Sequence, residues 1–234
     1  MDLYKELVNG SGFAVCPIKD MEIFKKVRDS FVEKINISSK SYKDFNLIRK
    51  SMAKMPKSEI NKIMINFLKF NDLSEMIIKS CGDLVEELCG KELFIQRRAH
   101  TTINVPGVDG FDISQHYELM SGISPFTFII WAPLHDIDDD GGIYYMNQKN
   151  SLDLMRKESA EGLVNGPTIF NLGKNQKPCY IKFGEVVVFN PFVLHGNSPF
   201  SSEFARIACN VRFQSNKKPL LQKNSDYLKY FRLS

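Results

Sequence analysis

The chain has 234 residues, 43% of them hydrophobic and 25% charged, and a formal net charge of +4. Such a chain buries a sizeable core without staples and falls within the size range of one all-β domain. The mild positive charge comes without a basic stripe interleaved with aromatics, which argues against nucleic acid, and no run approaches the roughly 20 apolar residues of a membrane span.

From the N-terminus, Met1 to Gly10 carries charges where the apolar core of a signal peptide would stand. Residues 11–18 read as a short strand ending at Pro17, and Asp20 reads as the N-cap of a helix carrying Ile23, Phe24, Val27, Phe31 and Ile35 at helical spacing. Ser39 to Met55 shows no regular period. Ser58 precedes a second helical pattern through Ile60, Ile63, Met64, Phe67 and Leu68. Asp72 or Ser74 caps a third, carrying Met76, Ile77, Leu84, Val85 and Leu88 and ending at Gly90.

After Gly90 the texture changes to short apolar runs separated by turn signals. Strands are expected at 92–105, 113–118, 126–134, 142–146, 179–183, 185–190 and 204–214, with one helix inserted from Ser151 to Glu161. Repeated short strands of this kind predict a β-sandwich or barrel. The expectation is one domain: mostly helical support over 1–90, a β core over 91–214, and a tail over 215–234. Residues 147–178, rich in Asn, Gly and Lys, are the candidate to close over a pocket. The five cysteines (Cys16, Cys81, Cys89, Cys179 and Cys209) are odd in number and form no CxxC pair. They read as buried thiols of a cytoplasmic protein rather than as disulfides or a zinc knuckle.

The chemistry points to two of the four histidines. His116 and Glu118 stand one residue apart on an expected strand, so both side chains leave the same face and reach one metal ion. His195 follows the apolar strand Glu185 to Asn190 and is brought beside them by a later strand. Two His and one carboxylate on one face of a metal leave the opposite positions open, the facial triad of non-haem Fe(II) oxygenases. A structural zinc site would instead be closed by four ligands, usually including Cys. Arg206, eleven positions after His195, can grip a carboxylate in bidentate fashion.

The remaining candidates have plainer readings. His135 is the rival ligand, but a turn beside Asp136, Asp138, Asp139 and Asp140 suits it better; these carboxylates lack EF-hand spacing and read as a solvated turn. His100 reads as structural, and Trp131 as core. Arg97, Arg98 and Arg212 read either as surface charges or as contacts to an anionic substrate.

The segments HYE at 116–118 and GEVVVFNPFVLHGN at 184–197, followed by Arg206 and the pair Arg212-Phe213, resemble the phytanoyl-CoA dioxygenase-like branch of Fe(II)/2-oxoglutarate oxygenases. Within it the chain looks most like bacterial oxygenases found with carbohydrate and aminoglycoside biosynthesis genes. SGISPFTFIIWAPLHD at 121–136 is similar to the sequence after their metal-binding pair, and Gly12 to Val32 to the start of the branch. The likeness covers most of the C-terminal two thirds and is weak from 38 to 90.

That resemblance implies a double-stranded β-helix (jelly roll) core with helices packed on it. It implies Fe(II) on His116, Glu118 and His195, with 2-oxoglutarate as cosubstrate and dioxygen as oxidant. Arg206 would hold the distal carboxylate of the cosubstrate, and Asn104 its keto acid end. The substrate would be a small molecule such as a sugar, a nucleotide sugar or a secondary metabolite, and the reaction hydroxylation. Two departures stand out: Glu118 replaces the usual Asp, and Ala208 replaces a small hydroxyl residue two positions after the Arg; the Glu118 carboxylate would occupy the halide position, which disfavours halogenation. Tyr144 or Tyr117 would then supply the missing hydrogen bond. The alternatives are a jelly-roll isomerase or lyase using its metal as a Lewis acid, which does not require Arg206, and a non-catalytic ligand-binding protein that retains the pocket.

Overall fold

The computed structural model describes residues 2–35, 44–69, 72–105, 123–138, 142–160, 177–197, 203–221 and 227–234. Within them the chain is mainly antiparallel sheet, with helices against one face.

The sheets are built as follows. The larger contains β1 (Phe13–Pro17), β2 (Glu92–Gln96), β3 (His100–Asn104), β4 (Phe128–Pro133), β7 (Glu185–Phe189), β9 (Arg206–Ser215) and β10 (Leu228–Arg232). Its order is β1-β7-β4-β9-β2-β10, with β3 also paired to β9. The smaller contains β5 (Ile143–Tyr145), β6 (Lys177–Cys179) and β8 (His195–Asn197), in the order β6-β5-β8. All pairings between these strands are antiparallel.

The larger sheet is covered on both faces, which explains why β4 and β7 are continuous apolar runs rather than alternating ones. Ile130 and Ala132 of β4, Val186 and Val188 of β7 and Ile207, Cys209, Val211 and Phe213 of β9 pack toward the helices. Their strand neighbours Ile129, Trp131, Val187, Phe189 and Ala208 point the other way. There they meet Ile143 and Cys179 of the smaller sheet, so a second core lies between the sheets. Phe13 stacks on Tyr145 across that gap, with ring centroids 3.7 Å apart. Each aliphatic or aromatic side chain buried in this way contributes about 1.5–3 kcal/mol.

The helices follow the expected apolar stripes. In α2 (Met21–Ile35), Phe24, Val27, Phe31 and Ile35 are buried, and the Asp20 carboxylate accepts from Ile23 N at 3.0 Å, the cap read from sequence. In α4 (Lys57–Phe67) the buried stripe is Ile60, Ile63 and Phe67. The third pattern is two helices, α5 (Asp72–Ser80) and α6 (Gly82–Cys89). They part where the Ser80 hydroxyl donates to Ile77 O and glycine follows at 82, so local bonding and a flexible residue replace continuous helix. Gly90, with φ of +77°, ends α6.

Four elements were not foreseen. Helices α1 (Leu3–Asn9) and α3 (Phe45–Met52) are short, and each is capped by an Asp, Asp2 and Asp44. The strand β8 has only three residues. The expected tail carries β10, which adds to β2. In addition α7 (Gln148–Ala160) begins earlier than expected and ends one residue sooner. All five cysteines are buried and free, and no described helix is long and apolar enough to cross a membrane.

Replacing Asp20 by Ala removes the side-chain cap of α2 and is expected to lower stability by about 1 kcal/mol, while Asp20→Asn costs only a few tenths. Urea unfolding of the two variants checks this; equal losses would mean that charge rather than capping is at stake.

Candidate active site

The side chains of interest lie between the two sheets, at the end where β9 begins. Arg206 opens β9 and is 2% exposed. Asn104, also buried, is its partner across the β3–β9 ladder. Strand alternation places Arg206 and Ala208 on the face that looks toward the smaller sheet. From that sheet, β8 contributes His195 and Asn197. They pair with Tyr145 and Ile143 of β5, whose side chains belong to the core between the sheets.

The described partners of Arg206 are neutral acceptors. Its Nη1 donates to Gly142 O at 2.6 Å and its Nη2 to the Asn197 amide oxygen. Its guanidinium carbon lies 5.9 Å from the centroid of the Trp131 ring. Burial brings the guanidinium pKa down to about 10, still well above neutrality, so the group stays a cation in a poorly solvated place. An anionic ligand there would offset the cost of desolvation.

His195 is buried at 7% exposure, against the Phe189 ring at 4.5 Å between centroids. Its Nδ1 lies 3.0 Å from Val193 O, which makes Nδ1 the protonated nitrogen and Nε2 the lone-pair nitrogen. A metal-binding imidazole is commonly oriented by such a backbone carbonyl. The observed donor chemistry therefore fits a ligand role for His195. His116 and Glu118 lie outside the described residues. Among the described residues no three His, Cys, Asp or Glu side chains converge as a metal site.

His135 is corrected from a turn residue beside solvated carboxylates to a buried strut. It is 6% exposed, its Nδ1 lies 2.6 Å from Asp136 O, and its Nε2 accepts from Ile207 N at 3.1 Å. Both ring nitrogens are committed to backbone, so it does not compete as a ligand. Together with the Leu134 N to Ile207 O bond of 3.0 Å, it ties the end of β4 to the start of β9, beside Arg206. From the other side α3 holds Ala205, through Arg49 Nε to Ala205 O at 2.9 Å and Ala205 N to Arg49 O at 3.0 Å. Of the neighbouring carboxylates, Asp136 accepts from Phe183 N and Asp138 pairs with Lys182, an exposed turn as expected.

Several other expectations can be placed. Tyr144 falls on the opposite face of β5 from Ile143 and Tyr145, so the tyrosine on the pocket face is Tyr145; Tyr117 lies outside the described residues. His100 is exposed on β3. Trp131 is core, although it also faces Arg206. Of the candidate lid, α7 is anchored at its N-terminal end, where Ser151 Oγ accepts from Leu194 N at 3.0 Å, next to His195. Residues 161–176 lie outside the described residues. Sequence reasoning missed Asn197, which the i, i+2 rule applied to His116 would have placed on the face of His195.

No family model matches the chain, and no curated protein does. Solved structures do. A non-haem monooxygenase, ThoJ, superposes with a TM-score of 0.61 at 13% identity, over 99% of this chain and 84% of that one. HygX from Streptomyces hygroscopicus, with nickel and 2-oxoglutarate bound, gives 0.52 at 13% identity, over 99% and 95%. SnoN, a non-haem α-ketoglutarate-dependent epimerase from nogalamycin biosynthesis, gives 0.53 at 12% identity, over 99% and 94%. The chain thus has the fold of the non-haem, 2-oxoglutarate-dependent oxygenases and their relatives.

The His135 environment has a pH consequence. Burial, with Arg49 and Arg206 nearby, lowers the imidazole pKa from the usual 6.5 to about 3. The unfolded chain therefore binds this proton more readily, and stability falls as pH drops from 6.5 toward 3, at up to about 1.4 kcal/mol per pH unit. His135→Asn is expected to be less stable at pH 7 and to lack this share of the acid slope. Urea unfolding at pH 7, 6 and 5 checks it; parallel slopes would refute the assignment.

Proposed function

We propose that the protein is a non-haem Fe(II)/2-oxoglutarate-dependent dioxygenase, with one oxygenase domain over residues 1–234 and a double-stranded β-helix core. The observation that carries this reading is the cation between the sheets: Arg206, buried, held by Gly142 and Asn197, with Asn197 two residues beyond His195 on one face of β8. Iron would be held by His116, Glu118 and His195, and 2-oxoglutarate by Arg206 and Asn104.

Each described residue has a definable part. Arg206 binds the distal carboxylate with charge-assisted hydrogen bonds, each contributing about 1.5–3 kcal/mol. Asn104, across the ladder, offers an amide to the other end of the keto acid. The Val193 carbonyl sets the His195 tautomer, with the proton on Nδ1 and the lone pair on Nε2. Ile129, Val187, Phe189 and Ile143 keep water from the base of the pocket. Iron with the keto acid and dioxygen supplies the oxidising power to attack an unactivated C–H bond. The substrate is a small molecule such as a sugar, a nucleotide sugar or a secondary metabolite, and the reaction hydroxylation. Fe(II) and 2-oxoglutarate are as this fold class uses them, HygX having been crystallised with nickel and 2-oxoglutarate.

The test is optical. Anaerobic addition of Fe(II) and then 2-oxoglutarate is expected to produce a weak visible charge-transfer band that needs both. Arg206→Gln should weaken 2-oxoglutarate binding at least tenfold with iron retained, and His195→Ala should lose iron. Metal bound but no band in the parent protein would move the reading to Lewis-acid chemistry or to simple ligand binding.

A further inference from the structure

A surface cavity of about 500 Å³ lies on the larger sheet where β2 passes into β3. Its described lining includes Gln96, Arg97, Arg98, His100, Arg212 and Tyr227, with no carboxylate among the described residues. The strand register explains why so many basic groups meet there. Ile95 of β2 lies opposite Phe213, and His100 of β3 opposite Asn210. Five steps along the β2–β3 ribbon therefore match three along β9, so two residues are extra, and the ribbon bulges at Arg97, Arg98 and Ala99. Ala99 fills the core on the helix side while Arg97 and Arg98 are exposed.

Arg212 is aimed by its neighbours rather than left to solvent. Its Nη1 donates to Tyr227 OH at 2.9 Å and to Gln96 Oε1 at 3.3 Å, and the same Gln96 oxygen accepts Arg212 N at 3.1 Å. Gln96 is itself 3% exposed. Arg212 and Arg206 leave the same face of β9, since their positions differ by an even number, and six residues of strand span roughly 20 Å. The basic cavity thus stands on the strand that carries the proposed cosubstrate anchor, at the far end of it.

We propose that this cavity binds the phosphate groups of a phosphorylated small-molecule substrate. The planar forks of Arg97, Arg98 and Arg212 suit phosphate oxygens better than a single carboxylate would use them. Arg212 and Arg206 share one face of β9, so phosphates held here lie on the same side of the strand as the proposed cosubstrate anchor. This assignment of the anion as part of the substrate rests on the oxygenase reading; the anion site itself does not.

The experiment is calorimetric titration of the protein with inorganic pyrophosphate and with uridine diphosphate at fixed ionic strength, repeated on the double variant Arg97→Gln/Arg98→Gln. Both substitutions are at exposed positions, so an unchanged melting temperature confirms the fold. Binding of both probes, with at least a tenfold loss in the variant, is the expected result. No binding to the parent protein, or equal binding to the variant, overturns the site. Pyrophosphate bound with uridine diphosphate refused overturns the assignment of the anion as part of a larger substrate. The iron and 2-oxoglutarate band, recorded on the same variant, should be unchanged. If the band is missing from the parent protein while the anions bind, the oxygenase reading fails and the anion site stands.

Discussion

Taking a guanidinium out of water is costly, and this protein does so at Arg206. The cost is offset in part by the Gly142 carbonyl and the Asn197 amide, on the side of the smaller sheet, while the arginine itself belongs to the larger. The same contacts therefore support the cation and tie the two sheets together. It also requires that the start of β9 not move. His135, Leu134 and Arg49 supply that rigidity through hydrogen bonds to Ile207 and Ala205, the residues on either side of the arginine. A buried neutral imidazole suits this task because it gives one donor and one acceptor at a fixed separation.

The helices matter for the same reason. A sheet with one wet face can shift its strands at little cost, but here helices cover the outer face, and β4, β7 and β9 are buried on both sides. A slip of one residue would exchange the two sets of side chains and leave Arg206 facing the helix-side core. Register is thus held by apolar packing across the whole sheet, and the polar site inherits its precision from that packing.

What could be read beforehand follows from how local each signal is. The stripe of Phe24, Val27, Phe31 and Ile35 with its Asp20 cap repeats a helical period over enough residues to be unambiguous, and the strands around Ile130 and Val187 stand out as continuous apolar runs of strand length. Helix α3 and strand β8 are too short to show a period, and β10 was hidden because its exposed Tyr230 and charged Lys229 and Arg232 break the apolar pattern. Of the candidate site residues named from spacing and resemblance, the structure pairs Arg206 with Asn104 across one ladder and places His195 on β8. His135 was misread because a histidine next to several aspartates suggests solvent. Its burial depends on contacts with Ile207, 72 positions away, which no local pattern announces.

Strand β9 unites these observations. One face of it carries Ile207, Cys209, Val211 and Phe213 into the helix-side core, and that commitment leaves the other face free to carry Arg206, Ala208, Asn210 and Arg212. The bulge between β2 and β3 is what makes the far end of that face different from the near end. Without the two extra residues, the ribbon would continue flat past Gln96 and bring no arginines to Arg212. With them, a uniform strand acquires a deep cationic anchor at one end and a shallow basic cavity at the other. The small Ala208 lies between the two, fully buried in the core between the sheets.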